Sequence, residues 1–416
     1  MGIPPIFTIV APSEWLPAPE WMNLHYLLRA ERCPRSAALR HARYAELWDR
    51  NTYPDKPSVA GLAGTVVHAT VARIVQQFSE NGCTSIDDPR CSAVLKQLGG
   101  YTRILMQTIT DLAKALAGNP RFEIVRDWSL VALQKRIPLL REHVQLQLGK
   151  ISWPVLSQNN EQSAAPKDVC RHPSNRPALG KGVHFEVEVR YPKLKWRGVI
   201  DFLDVGEQSC TIKDFKTGEA SDDHVLQLKL YALLWLNDRE LNPAALPPSQ
   251  LSVSYASGEQ EVSIAPKELA ELSESLLNRA AQVRASIDGP ASRANVSNDN
   301  CPHCDVRHLC SDYWSLSRRS KAPAKGDASA VADDIQLELK ARRGDKTWSA
   351  ECLISNHFPP KTTLLLRWSL HNLVLLESLK PGMKVRLTGA MIFVDDSNEC
   401  GIVNCVTNTD VIVLGI

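Results

Sequence analysis

A chain of 416 residues that is 44% hydrophobic and 23% charged has enough apolar material for two or three cores, which excludes a disordered or fibrous protein. The formal net charge is only +2, so the whole molecule is not a polycation that coats nucleic acid, and any such binding must come from local clusters. The start, Met1-Gly-Ile-Pro-Pro-Ile-Phe7, has no basic region or cleavage motif, and no uninterrupted apolar run reaches membrane-spanning length. The eleven cysteines are therefore read as reduced thiols of a soluble, cytoplasmic protein with no membrane partner.

From about residue 21 to 148 the pattern is helical, with amphipathic stretches predicted at 23–48, 65–78, 92–117 and 131–148. Arg29, Arg32, Arg35, Arg40 and Arg43 crowd the first stretch around Cys33. They suit a groove that tracks a phosphate backbone, or else a solvated helix face balanced by Glu31 and Glu46. In the second stretch Val67, Val71, Ile74, Val75 and Phe78 recur at helical spacing behind Thr65, a candidate N-cap, which puts His68 in the first turn. A lone histidine there is more often a core residue than a ligand. Residues 157–181 are polar and proline-bearing, and read as a flexible insert bounded at 156–182.

A strand is expected at 185–191, carrying Glu186 and Glu188, and a hairpin follows: strand 197–205, turn Gly206-Glu-Gln208, strand 209–215. Side chains alternate across a strand, so Asp214 and Lys216 share a face that Asp201 reaches from its neighbour. Two acids and an ammonium over a sheet hold a divalent cation and polarise a phosphate. Taken alone, Asp-x-Lys is usually a solvated strand face. Helices are expected at 223–235, where Gln227 and Tyr231 share a face, and at 266–287.

Cys301, Cys304 and Cys310 then fall within ten residues, with Cys33 far upstream. By count the four thiolates fit Zn²⁺ or an iron–sulfur cluster equally, and His303 and His308 make mixed zinc ligation conceivable. The other cysteines are scattered in apolar settings and read as ordinary buried thiols. After a linker (317–334), residues 335–416 turn β-rich, with strands expected at 336–341, 347–354, 363–369, 384–388, 390–394 and 400–414. Several short strands in so few residues, with Leu379-Lys-Pro-Gly382 as a turn signal, fit a small all-β, OB-like barrel. Trp348, Phe358, Trp368 and Phe393 are then either stacking platforms for single strands or barrel core.

The ordered set of His68, Gly198-x-x-Asp201, Asp214-x-Lys216 and Gln227-x-x-x-Tyr231 resembles the RecB-like branch of the PD-(D/E)XK nuclease superfamily, over roughly residues 16–314. The resemblance implies an α/β, restriction-endonuclease-like core, a mixed sheet flanked by helices with a helical N-terminal part, filling residues 1–316. It implies a metal-dependent DNA nuclease in which His68, Asp201 and Asp214, with the Phe215 carbonyl, hold Mg²⁺ or Mn²⁺. Lys216 would steady the scissile phosphate or attacking water, while Gln227 and Tyr231 orient Lys216 and touch the DNA backbone. Glu188, preferred to Glu186 on the same face, would supply the acidic strand position. The cysteine spacing is similar to that of the iron–sulfur nucleases, among them the AddB nuclease domain and the CRISPR-associated RecB-like exonucleases. By that likeness Cys33, Cys301, Cys304 and Cys310 hold a 4Fe-4S cluster that staples the ends of the domain, with Zn²⁺ the alternative. The expected activity is exonucleolytic, on single-stranded or unwound DNA, in repair or defence. No Gly-x-x-x-x-Gly-Lys loop occurs, so a helicase partner would open duplexes. In the rival reading the chain is a DNA-binding subunit of a helicase–nuclease complex in which cleavage is secondary.

Overall fold

The fold is described from a computed structural model. It covers residues 8–9 and 11–414, except 46, 49, 51, 152–175, 217, 256–257, 316–330, 369–376, 394–400 and 407–408. Most of the insert and most of the linker thus lie outside the described residues, as do Cys170 and Cys400.

After a short strand β1 (Thr8–Ile9), the first expected helix divides into α1 (Leu24–Arg32) and α2 (Pro34–His41). Cys33 takes an extended conformation between them and Pro34 opens the second. The second expected helix is longer, α3 (Val59–Glu80), capped by Ser58 rather than Thr65, so His68 stands in its third turn. By length and composition α3 is apolar enough to cross a membrane, but here it is a core helix that buries Val67, Val71, Ile74 and Phe78. The 92–117 stretch is α4 (Pro89–Gln97) and α5 (Gly100–Ala115), broken at Gly99, whose φ is 82°. After α6 (Pro120–Glu123), the 131–148 stretch is α7 (Arg126–Lys135) and α8 (Ile137–Gly149), with Pro138 in the first turn of the second.

The sheet core follows as β2 (Gly182–Tyr191), β3 (Trp196–Val205), β4 (Cys210–Lys216), α9 (Asp222–Asn237), β5 (Pro248–Tyr255), β6 (Gly258–Val262) and α10 (Pro266–Ser286). Its strand order is β2-β3-β4-β5-β6, antiparallel except for β4–β5, which α9 joins as a parallel crossover. One face packs on α3, α5, α7 and α8 through Val183, Phe202 and Phe215; the other packs on α9, α1 and α10 through Val189, Ile200 and Ile212. This is the expected restriction-endonuclease-like core. The end of the insert is anchored: Arg176 binds both carboxylate oxygens of Asp238 at 2.9 and 2.8 Å, and Leu179 donates its N–H to the Leu241 carbonyl.

Beyond α11 (Ser311–Ser315) lie β7 (Val331–Gly344), β8 (Thr347–Ile354), β9 (Thr363–Trp368), β10 (Lys384–Phe393), β11 (Gly401–Cys405) and β12 (Asp410–Leu414). The two strands expected at 384–388 and 390–394 are one, β10, and the single strand expected at 400–414 is two. Pairing runs β7-β8-β9-β11-β10 and back to β7, closing a five-stranded barrel in which only β9–β11 is parallel. β12 pairs with Val385–Thr388 of β10, on the edge that β11 takes further along, and sends Val411 and Val413 into the barrel core; β1 pairs with β12, so the N-terminus joins this C-terminal sheet rather than the nuclease core. Trp348 and Trp368, only 3% and 4% exposed, fill the barrel core with Phe358. They are not stacking platforms.

Candidate active site

Alternation across the sheet breaks at one place, and the site sits there. Phe185 and Phe202 face α3, whereas Val187 and Ile200, each two positions away, face α9. Both strands therefore switch faces at the pair between them, Glu186 and Asp201. Glu186 adopts φ 52°, a left-handed conformation costly for a residue with a Cβ, which kinks β2 without shifting its register on β3 and turns the carboxylate toward α3. His68 meets it there: one ligand atom each from His68, Glu186 and Asp201 lie within 4.8 Å of one another. Glu188 lies beyond this kink, half-buried and bonded to Arg190 at 2.8 Å. The acidic strand residue of the site is Glu186, not Glu188.

Asp201 accepts the Phe215 N–H at 2.9 Å and lies 3.9 Å from His68 Nδ1, while the Phe215 ring meets the His68 ring edge-on. Burial, then the negative charge of Asp214, push the Asp201 carboxyl up to about 8. Burial lowers the pKa of His68, keeping it neutral and able to ligate. Asp214 is fully buried and lies outside this three-residue group. Its Oδ2 is 2.7 Å from Lys216 Nζ, and its Oδ1 has no hydrogen-bond partner among the described residues, nor has His68 Nε2. One imidazole and a group of carboxylates, two of their buried atoms unsatisfied, suit a hard divalent ion of the Mg²⁺ or Mn²⁺ type.

On the α9 side, Gln227 donates to the Tyr231 hydroxyl at 2.6 Å. Burial, then the charges of Asp214 and Asp201, raise the pKa of Tyr231, which places its hydroxyl among the acids. Gly198 makes this possible: a Cβ there would stand 2.8 Å from the Tyr231 ring, so the helix could not come so close over a larger residue.

The sequence profile of the PD-(D/E)XK nuclease superfamily matches residues 26–311, the span from α1 to the last of the clustered cysteines. The chain belongs to this superfamily. No curated protein matches the sequence. Among solved structures, the p204 HINb domain is 11% identical, covering 56% of this chain and 93% of that one at a TM-score of 0.17. A murine DNA-binding protein bound to double-stranded DNA is 9% identical, covering 55% and 90% at 0.18. Scores this low establish no common fold.

Within this PD-(D/E)XK domain the arginines near Cys33 serve internal contacts. Arg40 pairs with Asp55 and Asp305 and bonds the Tyr53 carbonyl; Arg29 holds Asp305 at 2.6 Å; Arg35 lies 3.6 Å from Asp312; Arg43 binds Glu14 at 2.7 Å. Arg35 and Arg40 are largely buried, so neither is a free cation for DNA, and Arg43 is an exposed ion pair. Arg29 and Arg40 instead pin the cysteine loop, since Asp305 follows Cys304. Burial opposes ionisation of Asp305, but Arg29 and Arg40 outweigh it and hold its pKa below the ordinary value.

Cys33, Cys301, Cys304 and Cys310 line one cavity of about 340 Å³, though they come from opposite ends of the domain. Ser36 Oγ is 3.3 Å from Cys304 Sγ, and Asn295 donates its N–H to Cys33 Sγ at 3.4 Å. His303 lines the same cavity. His308 does not: it is buried against Tyr53, whose hydroxyl contacts its Nε2. The sequence offered both glutamates, two apart on one strand, and the preference for Glu188 over Glu186 failed because the positive φ of Glu186 has no sequence signal.

Proposed function

We propose that the chain is a RecB-like, Mg²⁺- or Mn²⁺-dependent DNA nuclease, exonucleolytic on single-stranded or unwound DNA, working in the cytoplasm in repair or defence. The observation that carries the metal-dependent reading is the convergence of His68, Glu186 and Asp201 beside the Asp214–Lys216 pair. His68, Asp201 and Asp214, with Glu186 in support, would hold the ion, which when bound acidifies water and offsets phosphate charge. The chain's own groups do the rest. Lys216 sets an ammonium beside the carboxylates, where it faces the phosphate oxygens and stabilises charge as it builds there. The Phe215 N–H fixes the Asp201 carboxylate, and Tyr231, held by Gln227 over Gly198, closes the α9 side against water.

The same reading gives Cys33, Cys301, Cys304 and Cys310 to a 4Fe-4S cluster with a structural role. What supports this is that the four cysteines line one cavity although they come from opposite ends of the domain. The closed barrel, with its one parallel pair, supports an OB-type assignment. End-labelled single strands with either terminus blocked test the exonuclease reading: one block should stop degradation, and cleavage indifferent to both would refute it. Anaerobically purified protein should be brown, with iron and sulfide; zinc in their place would refute the cluster.

A further inference from the structure

The α9 face of the sheet carries a second polar pair beside Lys216. Lys216 lies opposite Tyr255 in the parallel β4–β5 register, so both side chains leave the sheet on that face. His224, in the first turn of α9 and one turn before Gln227, brings Nδ1 to 3.1 Å from the Tyr255 hydroxyl. Tyr255 is buried at 7% exposure, while His224 is only half-buried. The imidazole is thus gripped from below and open to the outside, next to the ammonium of the proposed site.

We propose, on the strength of the nuclease reading, that His224 is a phosphate-contact residue for the bound strand, with Tyr255 as its positioning residue. The Tyr255 hydroxyl donates to Nδ1, which selects the tautomer whose Nε2 carries the proton. That N–H donates to a backbone phosphate next to the one Lys216 faces. Phosphodiester oxygens only accept hydrogen bonds, so an oriented donor is the group this ligand needs. Burial and then the charge of Lys216 lower the pKa of His224, which keeps this tautomer near neutral pH. A histidine serving only the core would be enclosed by apolar side chains; this one has a buried anchor and an accessible edge.

The test compares wild type, His224→Ala, His224→Asn and Tyr255→Phe. Single-stranded oligonucleotide affinity is measured in EDTA, and KM and kcat in Mn²⁺. His224→Ala should weaken binding and raise KM about 10-fold, the worth of one hydrogen bond to a charged group, with kcat and Tm little changed. His224→Asn, which keeps a side-chain donor, should recover most of the loss, and Tyr255→Phe should fall between. A methylphosphonate at the contacted phosphate should weaken wild type but not His224→Ala. Equal affinity and KM in wild type and His224→Ala would overturn the proposal, as would a loss confined to kcat. If His224→Ala binds weakly but wild type cleaves nothing, the contact stands and the nuclease reading falls. If wild type cleaves and His224→Ala matches it, the nuclease reading stands and the contact falls.

Discussion

Burial sets the charge of Asp201, and the metal-free fold carries the consequence. Its carboxyl, at about 8 against an ordinary 3.8, binds a proton in the folded protein that the unfolded chain has already lost. Stability contributed by that proton is present below the ordinary value and disappears as pH rises toward 8. In EDTA, Tm should therefore fall between pH 5 and 8 for wild type, and Asp201→Asn should gain on wild type as pH rises; parallel profiles would refute the shift. The neighbouring acid is decided by conformation. Glu186→Gln should weaken Mn²⁺ binding by calorimetry at least ~10-fold, while Glu188→Gln, beside Arg190, should leave it unchanged. Asp201, Asp214, Lys216 and His68 were legible because residue type and order name them. Glu186 was not, because strand alternation puts both glutamates on one face and nothing in the sequence announces a positive φ at a glutamate.

At the scale of elements, close approach is what the site demands. Adding a methyl at Gly198 drives it into the Tyr231 ring, so Gly198→Ala should cost about 1–3 kcal/mol in urea denaturation and displace α9 from β3. An unchanged midpoint would mean that the helix does not pack on the strand there. In the barrel, Trp368→Ala should cost about 3–5 kcal/mol, as a large cavity does; a surface stacking residue would cost almost nothing. Hydrophobic period located the long helices and β2 to β4, since burial on one face is written locally, but it gave no sign of β5 and β6. The breaks at Cys33, Gly99 and Pro138 were marked by their residues, but each lay inside a continuous apolar period that ran through it.

Across the whole molecule, the loop between Cys304 and Cys310 is also where the barrel docks. Arg307 binds Asp334 at 2.6 Å, Asp334 accepts the Gly389 N–H and the Tyr313 hydroxyl, and Arg386 reaches the His308 carbonyl. Beside them Arg121 pairs with Asp410 at 3.0 Å; burial would raise that carboxyl, but Arg121 and Lys56 hold it low. Arg307→Ala should leave Asp334 an underpaired buried charge, costing about 3–5 kcal/mol, and should split one calorimetric transition into two. A single unshifted transition would show that the two parts are held otherwise. These ion pairs, and β1 joining β12, were illegible because their partners sit on different elements, 27 positions apart for Arg307 and Asp334 and 289 for Arg121 and Asp410, with no local trace. The arginines near Cys33 show in the sequence as a cluster, but in the fold they pair with the distant Asp305 and Asp312 and with Asp55 nearby. That the carboxylates and Lys216 cut DNA with a divalent ion is tested most directly by Mn²⁺-dependent degradation of end-labelled single-stranded DNA, comparing wild type with folded Lys216→Ala. Wild type should degrade the strand, and Lys216→Ala should do so at least ~100-fold more slowly with Mn²⁺ affinity retained. Equal rates, or no cleavage by wild type with either Mn²⁺ or Mg²⁺, would contradict it.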